Sequence, residues 1–405
     1  MDFLYTFLNF LQPGILWPEY ADLRPLFILS VIVGIIGFLK YSQYSRAEAF
    51  RYPAFVYLVF FIIAQVVSVH YSGLNSMLEE FNYWNVYILF VVISILVINS
   101  PSALERYVWG MIAGSMVIVF YGIYAVFAGL PAAVGGRAGA YGMYENHNDY
   151  SFIIIMVLPF VYMFWKTRSG IIRLLLLFLF LTCVTGMFLS LSRGGILAMV
   201  LEMGLIVIFA FDKEKRFRYL FLISIIGVAA IGYQWAAREA NQGASYTAKD
   251  AEYSRIELWK AGKNMITSKP LLGVGSRRFG EVSEEYGEIS GWDKGKNAHN
   301  TYIEIAATSG LIGITLFMLM LRSVLRGLKT PATCPGLESL EPIRTATLIS
   351  LYAIMFRALF DAKAHDWSFY VLCVIGITYV MLLRSAKAAE KDKADATPLQ
   401  NVVDV

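Results

Sequence analysis

The sequence predicts an all-α, polytopic integral membrane protein of about 12 transmembrane helices, with one large loop outside the bilayer that contains helices of its own. Three observations carry this. Hydrophobic residues make up 58% of the 405 residues and charged residues only 16%, a balance too apolar for an ordinary soluble domain. Apolar runs of roughly 16 to 25 residues, the length a helix needs to cross about 30 Å of hydrocarbon, recur along nearly the whole chain. The lysines and arginines between those runs are strongly biased to alternate loops, as topology requires.

The runs lie near 2–17, 23–40, 53–70, 84–99, 105–130, 150–166, 171–190, 194–212, 217–236, 301–321, 343–361 and 367–384. The first lacks a basic leader and a small-residue cleavage site, so it reads as a retained helix rather than a signal peptide. With both termini inside, nineteen basic residues fall in inside loops against four outside, namely Arg24, Arg137, Arg193 and Lys363. The segment 237–300 is left out of that count because long loops cross largely regardless of charge. The net charge of +4 is therefore spent on topology and gives no sign of nucleic acid. The organisation that follows is membrane helices one to nine in 1–236, a large outer loop in 237–300, helices ten to twelve in 301–384, and a disordered inside tail in 385–405 rich in charged and small residues.

Within 237–300, ten basic and nine acidic residues nearly cancel, so the loop is no basic arm seeking polyanions. Tyr253 to Ile266 reads as an amphipathic helix with Ile256, Trp259, Lys263 and Ile266 at helical spacing, ended by Pro270 and the Gly273-Val274-Gly275 turn. Cys183 and Cys373 fall in helices and Cys334 in an inside loop, which suggests no disulfide framework.

The polar residues that are out of place in such a chain gather on the outer side. Arg137 and Glu145-Asn146-His147-Asn148-Asp149 occupy the loop before helix six, and Ser192-Arg193-Gly194 is the whole turn between helices seven and eight. Arg255 begins the loop helix, Arg277 and Arg278 follow its turn, and His299-Asn300 precedes helix ten with Glu304 one turn inside it. Arg357 and Asp361, four apart near the outer end of helix eleven, are spaced to pair.

Arg193 stands in a tight turn on the face where basic residues are scarce, and its planar fork of donors suits phosphate oxygens. The bland alternative is a loop cation or helix cap. Arg255 is an ordinary charge for a surface helix. His299 is placed for proton transfer, since an imidazole with an ordinary pKa of about 6.5 exchanges protons near neutral pH, although interfacial histidines also simply bond backbone carbonyls. Gly310 and Gly313 are small enough to let a neighbouring helix approach closely and hold the start of helix ten. The Asn146–Asp149 stretch reads first as a capped helix start, with Asp149 or Asn148 as the cap. Glu202, mid-span and roughly 13 Å along the helix from Arg193, must face the bundle interior or be protonated.

Other signals fail. Gly275 to Gly280 has P-loop spacing, but Glu281 stands where lysine is required. No H-E-x-x-H, paired C-x-x-C or G-x-S-x-G element is present, against metalloprotease and α/β-hydrolase chemistry. An exosortase-like cysteine peptidase built on Cys183 is a remote alternative.

Four pieces together resemble the O-antigen ligase and O-antigen polymerase superfamily of bacterial envelope glycosyltransferases. They are Arg137 through the N-H-N-D stretch, Leu191-Ser192-Arg193-Gly194-Gly195, the Arg255-to-Gly275 segment with Trp259 and Pro270, and His299-Asn300 followed after nine residues by Gly310-x-x-Gly313. The resemblance spans about residues 50 to 380. It implies a multi-pass enzyme of the bacterial inner (plasma) membrane whose outer face is periplasmic. Such an enzyme moves a glycan from undecaprenyl diphosphate to a sugar hydroxyl of lipid A–core or another glycan acceptor. It further implies that Arg193 and Arg255 bind diphosphate and that His299 serves the acceptor, with Arg137, Asn148, Asn300, Glu304 and Arg357 as further candidates. No cofactor or metal is called for, because the diphosphate is already an activated leaving group and the chain shows neither nucleotide-binding nor metal-ligand spacing. Membrane lipid is a partner and nucleic acid is not. A ligase is favoured by the complete H-N-x9-G-x-x-G motif. The runner-up is a polymerase that extends one lipid-linked chain with another, and a proton-coupled transporter is the reading from a different class.

Overall fold

In the computed structural model, residues 1–17, 19, 24–40, 46–242, 248–289, 293–364 and 366–400 are described. Among them the chain is helical throughout, with no strand. The helices are α1 (Asp2–Leu11), α2 (Pro13–Leu16), α3 (Pro25–Lys40), α4 (Arg46–Arg51), α5 (Pro53–Ser68), α6 (Leu74–Val97), α7 (Pro101–Ala128) and α8 (His147–Thr167). They continue with α9 (Gly170–Ser190), α10 (Arg193–Ala210), α11 (Lys213–Gln242), α12 (Ala248–Ser268), α13 (Phe279–Tyr286), α14 (Thr301–Leu328), α15 (Glu341–Arg357) and α16 (Trp367–Gln400).

Nine helices among the described residues are long and apolar enough to cross a membrane: α5 to α11, α14 and α16. The protein is a polytopic all-α membrane protein. Three of the twelve expected runs fall short of that length. Residues 2–17 form two pieces rather than one helix, because Gln12 takes a left-handed conformation (φ 50°) between α1 and α2. Helix α3 is a shorter apolar helix, and α15 ends at Arg357 rather than near 361. Helix α16 continues past Arg384, where a disordered tail was expected, and residues 401–405 lie outside the described residues.

Helix ends follow local chemistry. Pro53 and Pro101 open α5 and α7, where a missing N–H costs nothing. Packing is tightest where glycines remove side chains. On α7, Gly110 and Gly114 form a G-x-x-x-G step against α1, and a Cβ on Gly110 would lie 2.3 Å from the Phe3 carbonyl oxygen. Helix α8 is central, buried along most of its length between α7, α9, α10 and α15. Helices α9 and α11 instead turn large apolar side chains outward, among them Ile171, Leu174, Phe217 and Val228, a surface suited to lipid.

The loop helix α12 forms as the sequence predicts but buries a different face. Leu258, Ala261 and Met265 are its fully buried positions, while Ile256 and Trp259 remain exposed and Lys263 faces out. The reason is its seat on α14, where Leu258 and Met265 join a small separate core with Phe279, Ala298 and Ala307.

The glycine pair of the H-N-x9-G-x-x-G motif also acts differently from expectation. Gly310 breaks α14, with φ 66° and ψ −170°. No neighbouring helix fills the gap. The segment 270–275 does, and it exchanges backbone hydrogen bonds with both sides of the break: Val274 N donates to Ala307 O (2.9 Å), Gly275 N to Thr308 O (2.9 Å) and Leu311 N to Pro270 O (2.7 Å). In a continuous helix Leu311 N would have gone to Ala307 O. A membrane-embedded break leaves groups that must be paired within the protein, so the segment before α13 is fastened into the helix. A Cβ on Gly310 would lie 2.2 Å from the Leu271 carbonyl oxygen, whereas one on Gly313 would meet the Ser309 side chain, its Cβ at 2.6 Å.

Candidate active site

Helices α8, α10 and α14 begin at one place, and the loop after α15 joins them. At α10, Leu191 adopts φ 47°, Ser192 caps the helix by accepting from Gly195 N at 3.2 Å, and Arg193 is its first residue. The cap of α8 is Asn146, which accepts from Asn148 N at 2.8 Å; neither Asn148 nor Asp149 serves, contrary to the sequence expectation. Their side chains are thereby free for tertiary work. Asn148 Oδ1 accepts from Ser192 Oγ at 2.8 Å, which ties the start of α8 to the start of α10. The two glycines after Arg193 are needed for space, since a Cβ at Gly194 would lie 3.0 Å from Phe360 Cβ and one at Gly195 2.8 Å from Ser151 Cβ.

His299 sits just before α14 in the left-handed region, at φ 50°. An L-residue there needs support, and each neighbour supplies it. Ala298 N donates to Glu304 Oε2 at 2.8 Å, and Trp259 Nε1 donates to Ala298 O at 2.8 Å. Asn300 accepts from Tyr302 N and Ile303 N as the helix cap, and its amide donates to Leu359 O at 3.2 Å. Thr301 N donates to Ala358 O, and Thr301 Oγ1 donates to Asp361 O at 2.7 Å. Asn300 and Glu304, candidates from sequence, are thus fasteners of the turn that presents His299. The imidazole itself is about one-third exposed, and its Nδ1 lies 3.7 Å from Asp361 Oδ1.

Behind these turns runs a buried ionic network. Arg357 is 1% exposed and stacks over Phe152 at 4.8 Å. Its guanidinium donates to Ser151 Oγ (3.3 Å), Ser192 Oγ (3.4 Å) and Asp361 Oδ2 (3.4 Å). Asp361 therefore touches His299 with one oxygen and Arg357 with the other, and Arg357 reaches the residue next to Arg193. Lys363 pairs with Asp149 beside this chain. Burial depresses the Lys363 ammonium, but Asp361, Asp149 and Asp366 outweigh it and raise its pKa above the ordinary lysine value, so Lys363 is a cation at neutral pH.

The remaining candidates divide. Arg193 and Arg255 are half-buried, and Arg255 lies within electrostatic reach of Arg357. Arg137 donates to Ser190 O (3.1 Å) and Leu191 O (3.4 Å), so it closes the end of α9 and shapes the Arg193 turn. Arg277 belongs to a second cluster, bound to Glu80. Glu202 is fully buried inside the bundle, its carboxylate without a hydrogen-bond partner among the described residues.

Sequence reasoning passed over Lys363, Ser151 and Ser192. For Lys363 the signal was present, because it is one of only four basic residues in the short loops expected outside, as is Arg193. Ser192 stood in the Leu191–Gly195 piece without a role of its own, and nothing in its spacing marks Ser151.

Taken together, three helix N-termini converge with Arg193, Arg255, Arg357 and Lys363 beside one partly exposed histidine. Helix N-termini attract anions through their unpaired N–H groups and dipoles, and arginine forks add charge-assisted hydrogen bonds. The arrangement can hold a polyanionic leaving group next to a proton acceptor. Among curated proteins nothing matches the chain. Residues 178–318 match the family model described as O-antigen ligase. That stretch contains Arg193, Arg255, His299 and the Gly310 break, and it leaves Asp149, Arg357, Asp361 and Lys363 outside. With the all-helical membrane fold, this match makes the stretch from α9 into α14 similar to the O-antigen ligase family.

Proposed function

We propose that the protein transfers a glycan from undecaprenyl diphosphate to a sugar hydroxyl of an acceptor, lipid A–core in a ligase, at the periplasmic face of the bacterial inner membrane. The observation that carries this reading is the convergence of the N-termini of α8, α10 and α14 with four cations next to His299. In the proposed reaction Arg193 and Arg255 hold the diphosphate. The acceptor oxygen attacks the anomeric carbon as the bond to the diphosphate oxygen breaks, with inversion. His299 takes the hydroxyl proton and undecaprenyl diphosphate departs with the bonding pair. Nδ1 of His299 faces Asp361, which leaves Nε2 to accept the proton, and Asp361 is a positioning residue for the ring.

Holding and neutralising the leaving group is the larger demand, because diphosphate departs without protonation. A sugar hydroxyl is a weak nucleophile, and a base within hydrogen-bond reach contributes about 10²–10⁴-fold. The test compares His299→Ala with Arg193→Ala in nanodiscs, measuring lipid-linked donor affinity and single-turnover transfer. His299→Ala should keep donor affinity and lose turnover, and Arg193→Ala should weaken donor binding. Loss of donor binding in His299→Ala with an unchanged rate at saturating donor would move His299 to the diphosphate site. Offering lipid A–core and a second lipid-linked chain as competing acceptors separates ligase from polymerase. Uptake into liposomes without any glycan transfer would favour the transporter.

A further inference from the structure

A second cleft opens between the start of α6 and the turn before α13. Its volume is about 420 Å³ and its lining is predominantly polar, with Ser72, Ser76, Glu79, Glu80, Ser276 and Arg277 on its walls. That size lies within the range of small-molecule pockets, about 300–1,000 Å³. The cleft is rigidly built. Ser276 N donates to Ser68 Oγ at 2.8 Å, and Arg277 is held in the left-handed region at φ 59°. Glu80, 3% exposed, forms the floor and accepts from Trp84 Nε1 at 2.7 Å. Arg277 meets the same carboxylate through Nε (3.1 Å) and Nη2 (2.9 Å) and lies over the Tyr83 ring at 4.0 Å. Its side chain is still 41% exposed, and Nη1 takes no part in the Glu80 pair. On the far wall Arg278 bonds Glu281 (3.0 Å), Tyr71 Oη (3.3 Å) and Ser72 Oγ (3.1 Å).

The charge of the cleft sets its ligand class. Its lining carries three carboxylates, Glu79, Glu80 and Glu281, against two guanidiniums. Two pairs cancel, and Glu79 makes no ion pair among the described residues, so the cleft is slightly negative. It is therefore a poor extension of the diphosphate site. Serine hydroxyls, carboxylate acceptors and a guanidinium edge suit vicinal hydroxyls that both donate and accept. The cleft wall is joined by backbone to the helix that His299 precedes, because Val274 N and Gly275 N, next to Ser276 and Arg277, donate to Ala307 O and Thr308 O of α14.

We propose that this cleft is a subsite for uncharged, hydroxyl-rich sugar residues, lying on the glycan side of the reacting bond next to His299. The inference rests on the glycosyl-transfer reading above and adds where the sugar is recognised. Its fixed geometry lets the sugar bind without ordering the loop first, which preserves affinity.

The test uses the full chain in nanodiscs with Ser76→Trp, which fills the cleft, and Glu79→Ala, which alters an exposed side chain and leaves folding intact. The probe is a neutral oligosaccharide pool released by mild acid from the envelope glycan of the producing cells, with binding followed by saturation-transfer NMR and titration. Ser76→Trp should weaken binding at least about tenfold and Glu79→Ala severalfold, the loss of one or two hydrogen bonds. Binding of glycan-free undecaprenyl diphosphate should stay unchanged. A rise in KM for the lipid-linked donor assigns the subsite to the donor glycan, and a rise for the acceptor assigns it to the acceptor. No binding of the pool to the unaltered protein, or equal binding to both variants, overturns the proposal. If both variants bind normally while His299→Ala still abolishes transfer, the subsite fails and the proposed reaction stands. If the unaltered protein binds sugar but transfers nothing, the reverse holds.

Discussion

Asp361 stands between His299 and Arg357, with Oδ1 3.7 Å from the imidazole Nδ1 and Oδ2 3.4 Å from the guanidinium. One carboxylate thus orients the proposed base and anchors the arginine that braces the Ser192-Arg193 turn. Asp361→Asn keeps the shape but cannot pair with the guanidinium in the same way. Its transfer rate should fall on the order of 10²-fold, the size of effect that misplacement of a reacting group by about 1 Å produces. Donor affinity should change little. Unchanged single-turnover transfer in a folded Asp361→Asn protein would reduce Asp361 to a structural anchor.

Arg193→Lys tests whether charge alone suffices at the first position of α10. An ammonium is a point charge and cannot reproduce a planar fork on diphosphate. Loss of a charge-assisted hydrogen bond, about 1.5–3 kcal/mol, should weaken donor binding about 10- to 100-fold. Titration of the lipid-linked donor into the variant in nanodiscs measures this. Affinity equal to that of the unaltered protein would assign Arg193 to helix capping.

Gly310 and Gly313 should behave unequally despite their shared motif. Alanine at 310 must adopt φ 66° and place its Cβ 2.2 Å from a backbone oxygen. That combination of φ 66° and ψ −170° belongs essentially to glycine and costs about 1–3 kcal/mol for another residue, and the clash has no flexible side chain to yield. Gly313→Ala needs no unusual φ, but its Cβ would meet Ser309 Oγ and lie 2.6 Å from Ser309 Cβ, so that side chain must shift. Thermal unfolding in detergent should show the larger loss for Gly310→Ala, which adds backbone strain to a clash with backbone, and a smaller one for Gly313→Ala. Equal melting temperatures for the two would contradict the role given to the helix break.

Glu304 should prove structural. Glu304→Gln retains an oxygen acceptor for Ala298 N and is expected to transfer at close to the normal rate. Glu304→Ala leaves that buried N–H unpaired, at a cost of about 1–3 kcal/mol, and should lose stability and activity together. A folded, stable Glu304→Gln protein without activity would instead make Glu304 a proton-transfer group.

The sequence by itself determined the class, the membrane-crossing core and the chemistry-bearing motifs. Apolar length is a local property that the bilayer reads directly, so α5 to α11, α14 and α16 were visible as runs. Arg193 and His299 stood out because a bilayer protein places polar residues at helix ends only for a reason. Only the tertiary structure decided which candidates touch. Glu304 and Asn300 share the motif of His299, yet they are spent on holding the turn, because a left-handed residue must be fixed from both sides. Lys363, Asp149 and Ser192 come from separate parts of the chain, and their proximity depends on how α8, α10 and α15 pack. The break at Gly310 was hidden for the same reason. A glycine in an apolar run fits close helix packing equally well, and only the arrival of residues 270–275, supplying the backbone partners the helix gave up, makes the interrupted form stable inside a membrane.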